Sequence, residues 1–500
     1  MNPFKRLASQ TAIYGLPTII GRLLNWLLVP LYTIDNFSPA EYGTVNEMYA
    51  YVSFLLIVLT YGMETALFNF SRLHESKEKV YSTILTSVTL TSGIFIAGLT
   101  IFSQPIANAI RYPNHPEYIT WFALILGLDA VSSIAFAKLR EQNKAKTFAA
   151  IKTLNIGVNI FFNVFFLWIC KSQFDAGKDS SLARLYNPQI GIGYVFISNL
   201  IASGVTLLVQ MPSVIRGFTP LSFVRKGAAG EVSMLKTILP YALPLLFAGL
   251  AGMTNETMDR ILLKYLLPKD IALEQVGIYG ACYKISIIMT MFVQTFRFAA
   301  EPFFFSHAKE TDAKKVYARV MDYFVIICMI IFLGTMMNIS WIQYFVGEDF
   351  RSGMEVVPIL LLANFSLGVF FNLSIWYKLS DQTKWGAYLT VFGAAVTLIG
   401  NFIFIPKYGY MASAWTTLAC YAAMMVVSYI IGNKYFPVNY DLKRILGYLF
   451  LALGLYAGAA FLEIRNNTLD LIIKNLLLVF FGAVVFLFER KKLFGKTPPA

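Results

Sequence analysis

The polar intervals in this chain are too short to hold anything that folds by itself. Read by hydropathy, the 500 residues break into about fourteen apolar stretches, each near the ~20 residues an α-helix needs to cross a bilayer. They fall near 11–34, 46–69, 80–102, 118–137, 148–170, 189–210, 237–262, 275–298, 318–338, 355–377, 386–405, 410–432, 445–462 and 471–488. The segments between them are mostly about 8 to 25 residues, too few for an independent core. A backbone in lipid must satisfy its own hydrogen bonds, so spans of this length are helices. The expected fold is all-α: a polytopic membrane bundle of about 14 transmembrane helices. A mean hydropathy of +0.61 fits that reading. The first stretch is no cleaved signal peptide, because it is longer than an h-region, carries Arg22 in its middle and lacks a small-x-small site.

A net charge of +13 could point to nucleic acid, but its distribution argues otherwise. With the N-terminus in the cytoplasm, most of the 41 Lys and Arg residues fall in cytoplasmic segments, as the positive-inside rule requires. Examples are Lys138-Leu-Arg140, Lys144-Ala-Lys146, Arg225-Lys226, Lys314-Lys315 and Arg490-Lys491-Lys492. Outer loops are sparse or acidic, as at Glu348-Asp349. The basic excess is therefore a topology signal, no nucleic-acid partner is expected, and both termini are placed in the cytoplasm.

Chemistry of other kinds finds no support. Cys170, Cys282, Cys328 and Cys420 lie in or at the ends of apolar spans and read as small buried hydrophobes. His74, His115 and His307 fall in three different loops, so no metal site is expected. There is no phosphate-binding loop, zinc-protease motif or nucleophile elbow, and the longest outer loop is only 171–188. An enzyme such as a glycan polymerase or ligase is a remote reading. No catalytic residue and no cofactor is expected.

The chain repeats itself. Tyr14-Gly-Leu-Pro17 recurs as Tyr241-Ala-Leu-Pro244, and Glu41-Tyr42-Gly43 as Gln275-Val276-Gly277. Asn163-Val-Phe-Phe matches Asn401-Phe-Ile-Phe, and Gly193-Tyr194 matches Gly409-Tyr410. The basic loop at Gln142-Asn-Lys-Ala-Lys146 matches that at Gln382-Thr-Lys384. Shared order at separations of about 216 to 240 residues implies two parallel six-helix repeats plus two C-terminal helices. The expected divisions are an N-terminal lobe at 1–215, a second lobe at 230–440, two further helices at 441–490 and a basic tail at 491–500. Pro17 and Pro244, near the starts of the first and seventh spans, are candidate hinges because proline removes a helical donor.

The charges inside the spans suggest what passes through. An ionised side chain at bilayer depth costs several kcal/mol unless it meets a partner or a wet cavity. Arg22 lies in span 1, Lys284 and Arg297 in span 8, and Asp259-Arg260 at the outer end of span 7. Together they imply a cationic chamber and an anionic cargo. Arg22 leads, because its guanidinium forks onto two phosphate oxygens; its alternative is a structural pair with an acid such as Asp129. Asn25 lies one turn on, on the same face. Lys284 and Arg297 are thirteen residues apart, about 20 Å along the helix. Arg260 is either a cargo contact or a clasp with Asp259. Glu64 and Asp129 are either ion-coupling acids or counter-ions to Arg22 or Arg297, and Glu47 is a third acid near a span rim. Tyr49, Tyr51, Trp121 and Trp341 read as an interfacial belt.

Several of these residues carry a resemblance. Gly21-Arg22, Pro30-Leu-Tyr-Thr33 and Ser38-Pro-Ala-Glu-Tyr-Gly43, followed by Asp259-Arg260-Ile-Leu-Leu, Val276-Gly-Ile-Tyr279 and Gly409-Tyr410-Met-Ala-Ser-Ala414, resemble bacterial polysaccharide flippases of the Wzx type. These belong to the multidrug/oligosaccharidyl-lipid/polysaccharide exporter superfamily. The resemblance spans the whole chain. It implies an inner-membrane transporter that flips an undecaprenyl-pyrophosphate-linked oligosaccharide, for O-antigen, capsule or a similar polymer, by alternating access of two lobes. Implied partners are that substrate, membrane lipids, and polysaccharide polymerase and chain-length machinery. Arg22 matches the first-helix cavity arginines of the peptidoglycan-precursor branch, and spans 13 and 14 match the pair that forms its lipid-tail groove. The alternative within the superfamily is a multidrug or small-molecule exporter.

Overall fold

A computed structural model describes residues 19–73, 76–219, 229–308, 310–462 and 466–494. The candidate hinge Pro17, the basic pair Arg225-Lys226 and His74 lie outside the described residues. Helices account for nearly everything else. They are α1 (Ile19–Thr33), α2 (Pro39–Leu73), α3 (Lys77–Ile101), α4 (Pro116–Glu141), α5 (Ala145–Asp175), α6 (Gly193–Gly217) and α7 (Met234–Leu266). There follow α8 (Lys269–His307), α9 (Ala313–Met337), α10 (Val356–Leu379), α11 (Lys384–Tyr408), α12 (Tyr410–Tyr435), α13 (Leu442–Ala460) and α14 (Asn467–Arg490). Thirteen are long and apolar enough to cross a membrane, and α1 is a shorter apolar helix whose expected first turns precede the described residues. Several outrun the expected spans. Hydropathy ends a span at the first charges, but a helix continues through them; the 39 residues of α8 make about 58 Å of helix.

Local sequence sets the ends. Ser38 caps α2 in a capping box with Glu41, and Pro39 occupies the first turn, where no N–H is missed. The helix breaks at Tyr61-Gly62, both with positive φ (31° and 75°). At Gly62 a Cβ would come within 2.6 Å of the Ala242 carbonyl oxygen of α7, so the break admits a close crossing that only glycine allows. Ala242 belongs to the repeated Tyr-x-Leu-Pro motif, and α7 carries both Pro240 and Pro244 inside it. In α5 the α-helical ladder gives way to a π turn over Phe165–Cys170, beside Asn163.

By contact the chain forms two compact units: residues 1–280 with 397–409, and residues 281–396 with 410–500. In the first, Met63, Leu67, Ile84, Leu85, Ile134 and Ala242 form part of a fully buried core drawn from α2, α3, α4 and α7. In the second, α10 packs along α12 through Ala363, Phe370, Trp376, Cys420, Tyr421 and Met424. Lipid tails are as apolar as leucine, so such contacts hold by packing density and by polar bonds between helices, of which Trp376 Nε1 to Ser428 Oγ (3.1 Å) is one. The repeat-matched Asn163 and Asn401 are both fully buried, each donating to a carbonyl one turn back (Asn159 and Thr397, 2.8 Å). All four cysteines are free and buried.

Candidate functional site

Polar groups gather in the first unit at the end where α2 starts and α7 finishes. Glu47 of α2 and Lys264 of α7 form an ion pair (2.7 Å) in which the carboxylate is fully buried and the ammonium is 3% exposed. The Lys264 ammonium also donates to the Ile110 carbonyl (2.6 Å) and sits 3.7 Å from the centre of the Tyr112 ring. Tyr112, in the connection between α3 and α4, donates its hydroxyl to the same carboxylate oxygen of Glu47. Burial, and then the Glu47 charge, push the Tyr112 phenol well above its ordinary range, which keeps the donating proton in place. Arg111, held at a φ of 66°, donates to the Lys264 carbonyl (3.1 Å) and lies over the Tyr265 ring. The Tyr265 hydroxyl meets that of Tyr51 at 2.9 Å.

Beside this cluster α2 and α8 cross almost in backbone contact. A Cβ on Gly43 would overlap the Leu273 carbonyl, and one on Gly277 would overlap the Pro39 carbonyl. Asp259 of α7 is buried, accepts a hydrogen bond from Tyr279 of α8 (2.7 Å) and pairs with Arg260 (3.3 Å). Arg260 also donates to the Glu256 carbonyl one turn back (2.8 Å), both on α7, so it is Asp259 through Tyr279 that ties α7 to α8. The end of the unit is shut by one continuous set of contacts among α2, α7, α8 and the loop before α4. A buried ion pair is weak evidence of net stability, but stripping one partner from it costs about 3–5 kcal/mol.

Other expected site residues lie apart from this cluster. Arg22 and Asn25 are exposed on α1, and Arg22 makes no ion pair among the described residues. Asp129 does not pair with Arg22; it faces Ser203 and the charge of Lys152. Glu64 does not pair with Arg22 either: it pairs with Arg140 (2.7 Å), just after the break at Tyr61-Gly62. Lys284 is half-buried and engaged on α8. Arg297 pairs with Glu301 one turn on (3.1 Å) and stacks over the Phe371 ring, while Lys378 of α10 takes the same carboxylate oxygen (2.6 Å). Pro244 sits inside α7. Of the expected belt, Trp341 is 73% exposed, but Tyr51 bonds Tyr265 and Tyr49 accepts from Asn199 (3.0 Å). No group of acids, histidines and cysteines among the described residues is arranged to hold a metal.

Two constellations had no signal in the sequence. Lys264 lies just past the expected span 237–262, with nothing in its neighbourhood to mark it. Asp322, Arg444 and Glu489, each near the end of a different span in the second unit, converge: Arg444 meets Asp322 (3.1 Å) and Glu489, and Tyr448 donates to Glu489 (2.6 Å). Both acids are buried.

Comparison with known proteins places this geometry. Residues 37–174 match the family model described as polysaccharide biosynthesis protein. No curated protein matches the sequence. Among solved structures the chain is similar to the lipid II flippase MurJ in an inward closed conformation, with a TM-score of 0.69, 14% identity, and 96% of this chain and 99% of that chain covered. It is also similar to a mutant of the Vibrio cholerae MATE transporter VcmN, with a TM-score of 0.58, 13% identity, and 87% and 98% covered. An outward-facing multidrug resistance MATE family transporter of the MOP superfamily gives a TM-score of 0.57 at 13% identity, with 87% and 98% covered. The chain is a polytopic membrane protein with the helical fold of these flippase and transporter structures, and residues 37–174 match the polysaccharide biosynthesis model.

Proposed function

We propose that this protein flips a pyrophosphate-linked oligosaccharide on a polyprenyl lipid across a bacterial inner membrane, by alternating access, with both termini cytoplasmic. One observation carries the reading: the likeness to the lipid II flippase extends over 96% of the chain, against 87% for the MATE transporters. The difference is about 45 residues, close to the length of the α13–α14 pair (9% of 500). The polysaccharide biosynthesis pattern in residues 37–174 supports the same cargo class. On this topology the shut end of the first unit faces outward, and the Glu47–Lys264 pair is part of the seal that must part for cargo to leave.

Arg22, exposed and without a carboxylate partner among the described residues, is the proposed anchor for the pyrophosphate. Lys284, Arg297 and Arg260 are assigned lesser roles on the cargo path. An exporter of small molecules is the second reading, supported by the likeness to the MATE transporters. Moving a multiply anionic headgroup outward is helped by an inside-negative potential, by about 2.3 kcal/mol per charge per 100 mV. The test is export of surface glycan in a strain lacking its own flippase. Arg22→Ala is expected to abolish export with membrane levels unchanged, and Arg22→Lys to restore it only in part, since lysine lacks the planar fork. Normal export by Arg22→Ala would sink the proposed anchor. In liposomes without ATP, an imposed inside-negative potential is expected to speed flipping of the glycolipid.

A further inference from the structure

A cavity with several polar groups in its walls lies in the first unit, at the opposite end from the Glu47–Lys264 pair. It has a volume of about 440 Å³ and opens between the start of α3, the end of α4, the start of α5 and the end of α6. That size falls within the ~300–1,000 Å³ of small-molecule sites. Its walls carry Lys138, Gln142, Lys144, Gln210, Ser213 and Arg216. One acid, Glu78 at the rim, is taken by Lys138 (2.7 Å), whose ammonium is also held over the Tyr81 ring. Lys144 and Arg216 have no carboxylate partner among the described residues. The lining therefore holds two uncompensated positive charges.

Gln210 turns this basic cavity into a built site. The residue is 4% exposed, and neither its amide nitrogen nor its amide oxygen has a hydrogen-bond partner among the described residues. A buried amide left unpaired is costly, and the group has both a donor and an acceptor to offer. Leucine would fill the same space in α6 without that cost. The start of α5 lies on the same wall, and Lys144 at its N-cap makes no side-chain capping bond. The free N–H groups of that first turn add a further preference for negative charge.

We infer that this cavity binds a phosphate ester, with Lys144 and Arg216 neutralising the phosphate and Gln210 hydrogen-bonding it or its first hydroxyl. The ester is either the headgroup of an anionic phospholipid or a soluble phosphate compound; the chemistry recognised is the same. The site is separate from the proposed cargo anchor at Arg22.

The test uses full-length protein purified in detergent. Two probes are applied: glycerol 3-phosphate in solution, and reconstitution into vesicles of phosphatidylglycerol compared with phosphatidylcholine alone. Binding is read by native mass spectrometry and by the unfolding midpoint. Wild type is expected to be stabilised by at least one of the phosphate-bearing probes. Stabilisation by glycerol 3-phosphate assigns a soluble ester, and stabilisation by phosphatidylglycerol alone assigns a headgroup. The double variant Lys144→Ala/Arg216→Ala is expected to raise the dissociation constant at least tenfold. Gln210→Leu is expected to raise the unliganded midpoint while losing the ligand-dependent shift, a combination a merely structural glutamine does not produce. Should Gln210→Leu fail to fold, Gln210→Glu keeps the shape and repels the anion, and is expected to lose binding. Arg22→Ala is expected to bind as wild type, so failure of the flippase reading and failure of this site remain distinct. No stabilisation by either probe, or an undiminished shift in the Gln210 variant that folds, overturns the inference.

Discussion

Gly43 and Gly277 lie back to back where α2 crosses α8, each in the place where a side chain on the other helix's partner would collide with a carbonyl: Leu273 for Gly43, Pro39 for Gly277. The two occupy matched positions in the repeated motifs Glu-Tyr-Gly and Gln-Val-Gly. The contact is thus built from two copies of one sequence element, and small residues are what allow backbones in lipid to approach this closely.

Gly43→Ala and Gly277→Ala are each expected to destabilise the protein by roughly 1–3 kcal/mol, because the clash is with backbone and neither helix can yield by rotating a side chain. The double variant is expected to cost less than the sum, since one separation of the helices relieves both overlaps. Unfolding midpoints in detergent measure this. Additive losses would show that the two glycines act at independent contacts.

Lys264→Met leaves Glu47 buried without its cation and is expected to cost about 3–5 kcal/mol. Adding Glu47→Leu removes the orphaned charge and is expected to recover most of that loss, leaving Tyr112 to find a new acceptor. If the pair is part of the outer seal, the double variant also exposes a cysteine placed at Tyr51 to outside reagents more often than wild type does. A double variant as unstable as Lys264→Met would mean the lysine acts through the Ile110 carbonyl and not through Glu47.

In the second unit, Arg444 bridges the two buried acids Asp322 and Glu489. Arg444→Met is expected to destabilise strongly, by roughly 3–5 kcal/mol, because two buried acids lose their shared cation. Glu489→Gln is expected to cost much less, since the amide oxygen still accepts from Tyr448 and Arg444 keeps Asp322. Chemical denaturation of the purified variants compares the two, and a Glu489→Gln as costly as Arg444→Met would count against Arg444 as the group that holds both acids.

Single cysteines give the topology. With an impermeant reagent on whole cells, cysteines replacing Lys178 or Glu348 are expected to be labelled, and cysteines replacing Lys144 or Lys314 only after the cells are permeabilised. Reversal at two of these positions would overturn the orientation from which the shut end is read as the outer one.

What sequence alone determined here is everything set by short-range chemistry. Twenty apolar residues in lipid have one way to satisfy their backbone, so the helices from Lys77–Ile101 to Asn467–Arg490 were legible as spans, as were the apolar settings of the four cysteines. The repeat paired Gly43 with Gly277 and Asn163 with Asn401 as equivalents, without saying that the first pair touches. Tertiary structure alone decided which charges meet. Glu47 and Lys264 are 217 residues apart, and Asp322 is 122 from Arg444. Glu64 was read against Arg22 and Arg297 and found Arg140, just after a positive-φ break. Nothing local distinguishes Gln210 from any other polar residue near a span end. Its unpaired amide exists only because α3, α4, α5 and α6 close around it, and ion pairs and cavities depend on distances that chain order leaves open until the helices pack.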